Sequence, residues 1–268
     1  MNSNFYIPQQ PHFKNLVQSI WQVNQFTAFT EEYIIPKAVV EIIFNFSSGK
    51  PIKAQLGKAS CNLPQCFING FNSSPVSLQL PGQQVFFGVV LQPLAVKKIL
   101  KHPAGGFADS TVDLNLLDPA FHSLWQQLAA QDSFDKRVTI FLHWLKTYCG
   151  EVDPQEQLLN HFLYAVDQHG LSVKELANTV YYSPRHISRK ITEATGMNTE
   201  AFLLYKKYLH AVHLIHNSNL SLTAIAYQSH FSDQSHFIRS FKTYTKLTPK
   251  EYQRNKSMVK GHIYKDVR

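Results

Sequence analysis

The sequence predicts an α+β chain: an amino-terminal β-barrel domain with a helical tail, followed by an all-α domain. Three observations carry this. Residues 1–92 alternate short β-branched and aromatic runs with turn residues, apolar residues recur at helical spacing beyond Pro93, and cap-forming residues punctuate everything beyond 154. The chain has 268 residues, enough for one large domain or two ordinary ones, and 44% of them are hydrophobic, which excludes a wholly disordered chain.

Residues 38–46 form the first strong strand, ended by Ser47, Ser48 and Gly49. Residues 84–91 form the second, between Pro81-Gly82 and Pro93. Weaker strands are expected at 32–35, 55–59, 66–71 and 77–80, a spacing that suits a sandwich or a barrel. Residues 12–23 fit an opening helix or a strand. The helical tail comprises 94–100, 119–130 and 134–149. In the last of these, Phe134, Val138, Phe141, Leu142 and Leu145 make one apolar stripe, suited to a subunit contact or to burial against the chain's own barrel. The stretch 150–154 reads as a boundary, so the domains are expected at 1–150 and 155–260.

Beyond it, Ser172, Ser183, Thr199, Ser221, Ser232 and Thr248 stand where an N-cap hydroxyl accepts an orphan backbone N–H. Pro184 and Pro249 directly follow two of them, and Gly170 and Gly196 stand where helices stop. About seven helices are expected. Two stretches repeat at an offset of 49 residues, rising to 50 past Ser183. Each runs from a short helix with a small residue (Ala177, Ala226) through a turn and an aromatic plug (Tyr182, Phe231) to a capping serine and a second helix with apolar residues four apart: Ile187 and Ile191, Phe237 and Phe241. That is the helix-turn-helix pattern, in which the alanine lets two helices cross closely.

The opposite face of each second helix carries side chains suited to base edges: Arg185, Ser188 and Arg189 in the first copy, Gln234, Ser235, Ile238 and Arg239 in the second. Arginine binds guanine bidentately and glutamine binds adenine. Ser183, Lys190, Ser232 and Lys242 are expected to meet phosphates. Residues 171–260 hold 13 basic and 5 acidic side chains, a surplus that suits either a phosphate-binding footprint or a solvated basic face.

With these residues in place, 155–255 resembles the tandem helix-turn-helix domain of AraC/XylS-type transcription regulators. The most specific stretches are 225–242, from Ile225-Ala226 through Phe231-Ser232-Asp233-Gln234 to Phe241-Lys242, and 247–252, Leu247-Thr248-Pro249 to Tyr252. The resemblance implies a rigid bridging helix at about 199–216 and two recognition helices entering successive major-groove segments on one DNA face. It departs at Tyr181 and His230, where the family places a turn glycine, and at Lys207 and His210, where arginine is frequent. The glycine preference implies a left-handed backbone at His230. Residues 1–110 resemble, more loosely, the cupin-like β-barrel that many such regulators use as a sensor, through 35–46 and 87–93. The family thus implies double-stranded DNA as partner, a small-molecule effector or a second copy of the chain at the amino-terminal domain, and contact with RNA polymerase.

The other constellations are weaker. His210, His213 and His216 drift around the helix, so a zinc site is not expected. Residues 30–92 contain no histidine, which excludes a metal-dependent cupin enzyme, and no phosphate loop, dinucleotide fingerprint or nucleophile elbow is present. No cofactor and no catalytic residue is expected. Cys61 and Cys66 read as buried, inert thiols rather than a redox pair, and Glu41 as a strand-end carboxylate rather than a pocket residue. Three cysteines, no long uncharged apolar run and no signal peptide suggest a reduced, cytoplasmic protein without a membrane partner.

Overall fold

The computed structural model describes residues 2–25, 29–80, 83–150, 153–165 and 172–266. The expected turn at Pro81-Gly82, the helix stop at Gly170 and part of the 150–154 boundary lie outside them. The first half comprises β1 (Asn2–Tyr6), α1 (Pro11–Lys14), β2 (Val17–Gln25), β3 (Phe29–Ile34), β4 (Val40–Asn45), β5 (Lys53–Leu56), β6 (Ala59–Asn62), β7 (Cys66–Asn69), β8 (Val76–Gln79) and β9 (Gln84–Leu91). It continues with α2 (Val96–Leu100), β10 (Thr111–Asp113), α3 (Ala120–Ala129) and α4 (Phe134–Leu145). Seven helices follow among the described residues: α5 (Pro154–Tyr164), α6 (Val173–Thr179), α7 (Pro184–Thr195), α8 (Thr199–Asn217), α9 (Leu222–Gln228), α10 (Gln234–Thr245) and α11 (Pro249–Asn255). A last strand, β11 (His262–Asp266), closes the chain.

The strands form two antiparallel sheets, ordered β1-β2-β9-β4-β7-β10 and β11-β3-β8-β5-β6. They make a two-layer arrangement of the cupin-like kind expected, open rather than closed, since among the described residues no ladder joins one sheet to the other. The region 12–23 is helix and then strand: Pro11 opens α1, and the β-branched run after Asn15 becomes β2. The segment 55–59 is a hairpin, β5 and β6, turning at Gly57 with φ +59°. Strands β1, β10 and β11 were not expected. All three are sheet edges of five residues or fewer, so alternation is too short there to register.

Side-chain alternation gives the first sheet two working faces. Ile42, Phe44, Phe87 and Val89 are fully buried, and Phe44 and Phe87 meet Phe141 of α4 with ring centroids 6.2 and 6.3 Å apart. The stripe Val138–Phe141–Leu145 is therefore buried within the chain, the second of its two expected uses. The opposite face carries Trp21, Gly88, Ile43 and Phe67 in one cross-strand row. Gly88 is required there, because any Cβ would overlap the Trp21 indole lying across it.

The second half packs directly on the first. Tyr205 and Tyr208 of α8 are fully buried. Tyr205 donates to the Asn72 carbonyl at 3.0 Å and accepts from the Ala38 N–H at 3.1 Å. Tyr208 donates to the Pro36 carbonyl at 2.9 Å. Ala38 is held at φ +57°, a left-handed backbone that costs about 1–2 kcal/mol. On the other side of the interface the turn 104–107 seats on the end of α7, where a Cβ on Gly105 would overlap Thr192 and Gly196 backbone. Finally, β11 leaves the helices and pairs with β3, placing His262 opposite Ile34 and Tyr264 opposite Glu32. The chain just beyond the expected second domain, 155–260, thus returns to the sheet of the first.

Gly105→Ala is expected to destabilise the chain by about 1–3 kcal/mol through overpacking against rigid helix backbone. Gly106→Ala, which meets nothing within 4 Å, should change stability by less than about 0.5 kcal/mol. Denaturant unfolding of the two variants makes the comparison.

Candidate nucleic-acid interface

Both helix-turn-helix units are built as the repeat requires. Ala177 and Ala226 are buried where α6 crosses α7 and α9 crosses α10. Ile187, Ile191, Phe237 and Phe241 are fully buried, fixing the inner face of each second helix. Tyr182 stacks on His186 with centroids 4.2 Å apart, and Phe231 meets Phe237 at 5.2 Å. The turn residues Tyr181 and His230 have φ +56° and +57°, so the left-handed conformation that favours glycine occurs in both copies.

The caps explain the change of offset. Ser183 accepts the His186 N–H and Pro184 is the first helical residue. In the second copy the cap is Asp233, not Ser232: its carboxylate accepts the His236 N–H at 2.8 Å. That extra residue carries the repeat from 49 to 50. The bond to His236, with Ser232 donating to the same carboxylate, holds Asp233 below the usual carboxylate range. Asn198 likewise caps α8 in place of Thr199, whereas Ser172, Ser221 and Thr248 cap as expected.

The outward faces hold most of the expected side chains. Arg185 and Arg189 are exposed on α7, and Gln234, Ser235, Arg239 and Lys242 on α10, with Ile238 37% exposed. Arg189 lies 3.3 Å from the His186 ring and makes a long 3.9 Å contact with Glu193, the latter the kind of surface pair that contributes little. Ser188 is half-buried and donates to the Pro184 carbonyl at 2.9 Å, so its hydroxyl is committed within its own helix. Lys190 is also drawn away from the expected phosphate role. Its ammonium lies 2.6 Å from Glu156 of α5, with both side chains largely buried. Breaking such a pair to reach a phosphate would leave Glu156 uncompensated. Ser183 and Ser232 are exposed at the two N-termini, where backbone donors and the helix dipole favour an anion.

The bridging helix holds the turns. Lys207 donates to the His230 carbonyl at 2.8 Å, and His210 lies 3.1 Å from the Ser229 hydroxyl. These are the two positions that depart from arginine, and both serve the second unit's turn. A third residue escaped the sequence reading. Lys206 is 1% exposed, sits over the Phe162 ring and donates to the Phe162 and Ala165 carbonyls at the end of α5. A cation there satisfies orphan carbonyls and complements the helix dipole; a lone lysine in a basic region gives no sign of this in sequence.

The histidines of α8 serve separate partners: His213 contacts Asn217, and His216 lies 2.7 Å from the Tyr252 hydroxyl. Burial and the nearby Lys256 and Lys260 push His216 down to about 4, so it is neutral at physiological pH. Among the described residues no cluster of three or more metal-ligating side chains occurs. Cys66 is buried and its thiol is pushed up by desolvation, while Cys61 is exposed on β6, contrary to the expectation that both are buried. Glu41, expected as a strand-end carboxylate, is 6% exposed and lines a cavity between the sheets.

Replacing His230 with glycine should relieve about 1–2 kcal/mol of left-handed strain, less the roughly 0.4–1 kcal/mol that glycine's unfolded-state freedom returns. A melting comparison of full-length chains should show His230→Gly equal or more stable. A clear loss of stability would mean that the imidazole makes a contact worth more than the strain.

Comparison with known proteins follows the same division. Residues 176–255 match a family described as a helix-turn-helix domain, and residues 5–113 one described as a domain of unknown function (DUF6597). An uncharacterized HTH-type transcriptional regulator of Staphylococcus aureus strain MSSA476 is 35% identical over 89 residues, 33% of this chain and 12% of that protein. One from Haemophilus influenzae is 28% identical over 107 residues, 39% of this chain and 36% of its own. The matched segment is thus a minor part of those relatives. Among solved structures, ToxT from Vibrio cholerae aligns over 94% of this chain and 97% of its own at 12% identity, with a TM-score of 0.46. An AraC-type regulator from Chromobacterium violaceum aligns over 32% of this chain and 76% of its own at 24% identity, with a TM-score of 0.31. No helix among the described residues is long and apolar enough to cross a membrane. Residues 176–255 are thus similar to a helix-turn-helix domain, as in the transcriptional regulators that share this segment.

Proposed function

We propose that this chain is a sequence-specific, double-stranded-DNA-binding transcription regulator whose amino-terminal domain senses a small molecule. The observation that carries the reading is the pair of matched recognition helices, each with an apolar inner face and an arginine-bearing outer face. Arg185 and Arg189 on α7, and Gln234, Ser235, Ile238 and Arg239 on α10, are the proposed base-reading side chains. Ser188 acts within its helix. Phosphates fall to Ser183, Ser232 and Lys242, with Lys190 reassigned to holding α5 against α7. The net basic surplus of this region supplies the sequence-independent part of the affinity.

A sensing role is supported by the cavity of about 360 Å³ between the two sheets, a size within the range of ligand pockets. Self-association through the α4 stripe is not supported, because that stripe is consumed in the chain's own core. RNA polymerase is the further partner expected of a promoter-bound chain.

Selection of bound sequences from a random DNA pool tests the reading, and a non-palindromic site with two elements about 10 base pairs apart is expected from one chain. On that site Arg185→Ala and Arg239→Ala should each cost about 1–3 kcal/mol and relax specificity at one position. Lys242→Ala should weaken all sequences alike and flatten the salt dependence. Equal losses on selected and random DNA for Arg185→Ala would refute base reading by that residue.

A further inference from the structure

The cavity between the sheets has two features that the sensing role alone does not explain: an uncompensated carboxylate, and a wall supplied by the reader's own tail. Glu41 projects from β4 into it, more than nine-tenths buried. Its one hydrogen-bond donor among the described residues is the Trp21 indole N–H, at 3.2 Å. That indole is itself fixed by lying flat across Gly88. The remaining charges of the cavity balance each other. His262 lies between the Glu32 carboxylate, 2.6 Å from Nδ1, and the Lys37 ammonium, 3.3 Å from Nε2. This chain of contacts pairs Glu32 with Lys37 through a neutral imidazole and, among the described residues, leaves Glu41 without an ion-pair partner.

A buried carboxylate with a single neutral donor is costly, and a cation or a charge-assisted donor offsets that cost. The walls around it are largely apolar and include the aromatic faces of Trp21, Phe67 and Phe86. Such faces attract cations and reject hydrated anions. We propose that this cavity is a site for an apolar ligand bearing a protonated amine, with the ammonium seated on Glu41 and the apolar body against the aromatic walls.

The tail makes this site part of the DNA reader. Val259, His262 and Tyr264 line the same cavity, and they follow α11 directly. The strand is pinned on both sides: the Gly261 carbonyl accepts from Ile35 N–H at 2.9 Å, and the Gly261 N–H donates to the Tyr252 hydroxyl at 3.2 Å. The loop 35–39, which also lines the cavity, carries the Pro36 carbonyl and Ala38 N–H that hold Tyr208 and Tyr205 of α8. An occupant therefore touches the two segments by which the helical domain is fastened. It favours the fastened arrangement by its differential affinity for that state.

This inference rests on the reading of the amino-terminal domain as a sensor, and its test uses no DNA. The full-length chain is titrated calorimetrically at neutral pH with 2-phenylethylamine, and with 3-phenylpropionate and 2-phenylethanol as size-matched anion and neutral. The amine should bind at least about tenfold more tightly than either, and Glu41→Gln should lose about tenfold or more of the amine affinity while Tyr264→Ala weakens it measurably. Should Glu41→Gln fail to fold, the selectivity of the wild-type chain decides alone. Tighter binding of the acid or the alcohol would overturn the cationic ligand and keep a sensor. Absence of binding by all three up to millimolar concentration would overturn the cationic ligand and remove the sensing role with it. Neither result bears on DNA recognition.

Discussion

The structure depends on buried tyrosine hydroxyls of the helical domain that find their partners only on the backbone of the sheet domain. Tyr205 and Tyr208 are fully buried on α8, and burial holds both phenols well above their usual range, so they are donors at any working pH. A buried hydroxyl without a partner costs more than an average hydrogen bond contributes. Their partners are Asn72, Ala38 and Pro36, and Tyr164 of α5 adds the Leu91 carbonyl at 2.5 Å. Separating the two halves would strand both sides of these bonds at once. The β11–β3 ladder and the turn 104–107 against α7 then act on an interface whose register is already set.

That interface also fixes the reader. The end of α7 abuts Gly105, and the Thr245 carbonyl at the end of α10 accepts from the Tyr33 hydroxyl at 2.7 Å. Both recognition helices are thus tied at their carboxyl ends to the sheet domain while their amino ends, with Arg185 and Gln234, face outward. The proposed docking of both helices on DNA one turn apart would be served by such a common rigid mount. Any change in the sheet domain that moves loop 35–38 or strand β11 moves the mount.

Much of this was legible in the residues. Local rules carried the reader: Ser183-Pro184 and Thr248-Pro249 mark helix starts by chemistry confined to a few residues, and the repeat placed both units. The misreadings arose where chemistry is non-local or two local signals compete. Ser232 and Asp233 are both good caps, and only the geometry of the turn chooses. Lys190 looked like a phosphate contact because nothing in sequence brings Glu156, 34 residues away, to its ammonium. Glu41 looked like the end of a strand because its environment is made by the opposite sheet, including residues more than 200 positions later. Strand β11 was missed for the same reason: a five-residue tail declares itself only by the edge it joins.

The claim on which the account stands is that the tail after the reader is a strand of the sheet domain. Amide hydrogen exchange of the full-length chain measures it directly. Amides of 262–265 are expected to exchange slowly, with protection comparable to that of β3, because opening them requires undoing a ladder and a buried interface. Exchange of those amides at the rate of unstructured chain, alongside a protected β3, would contradict it.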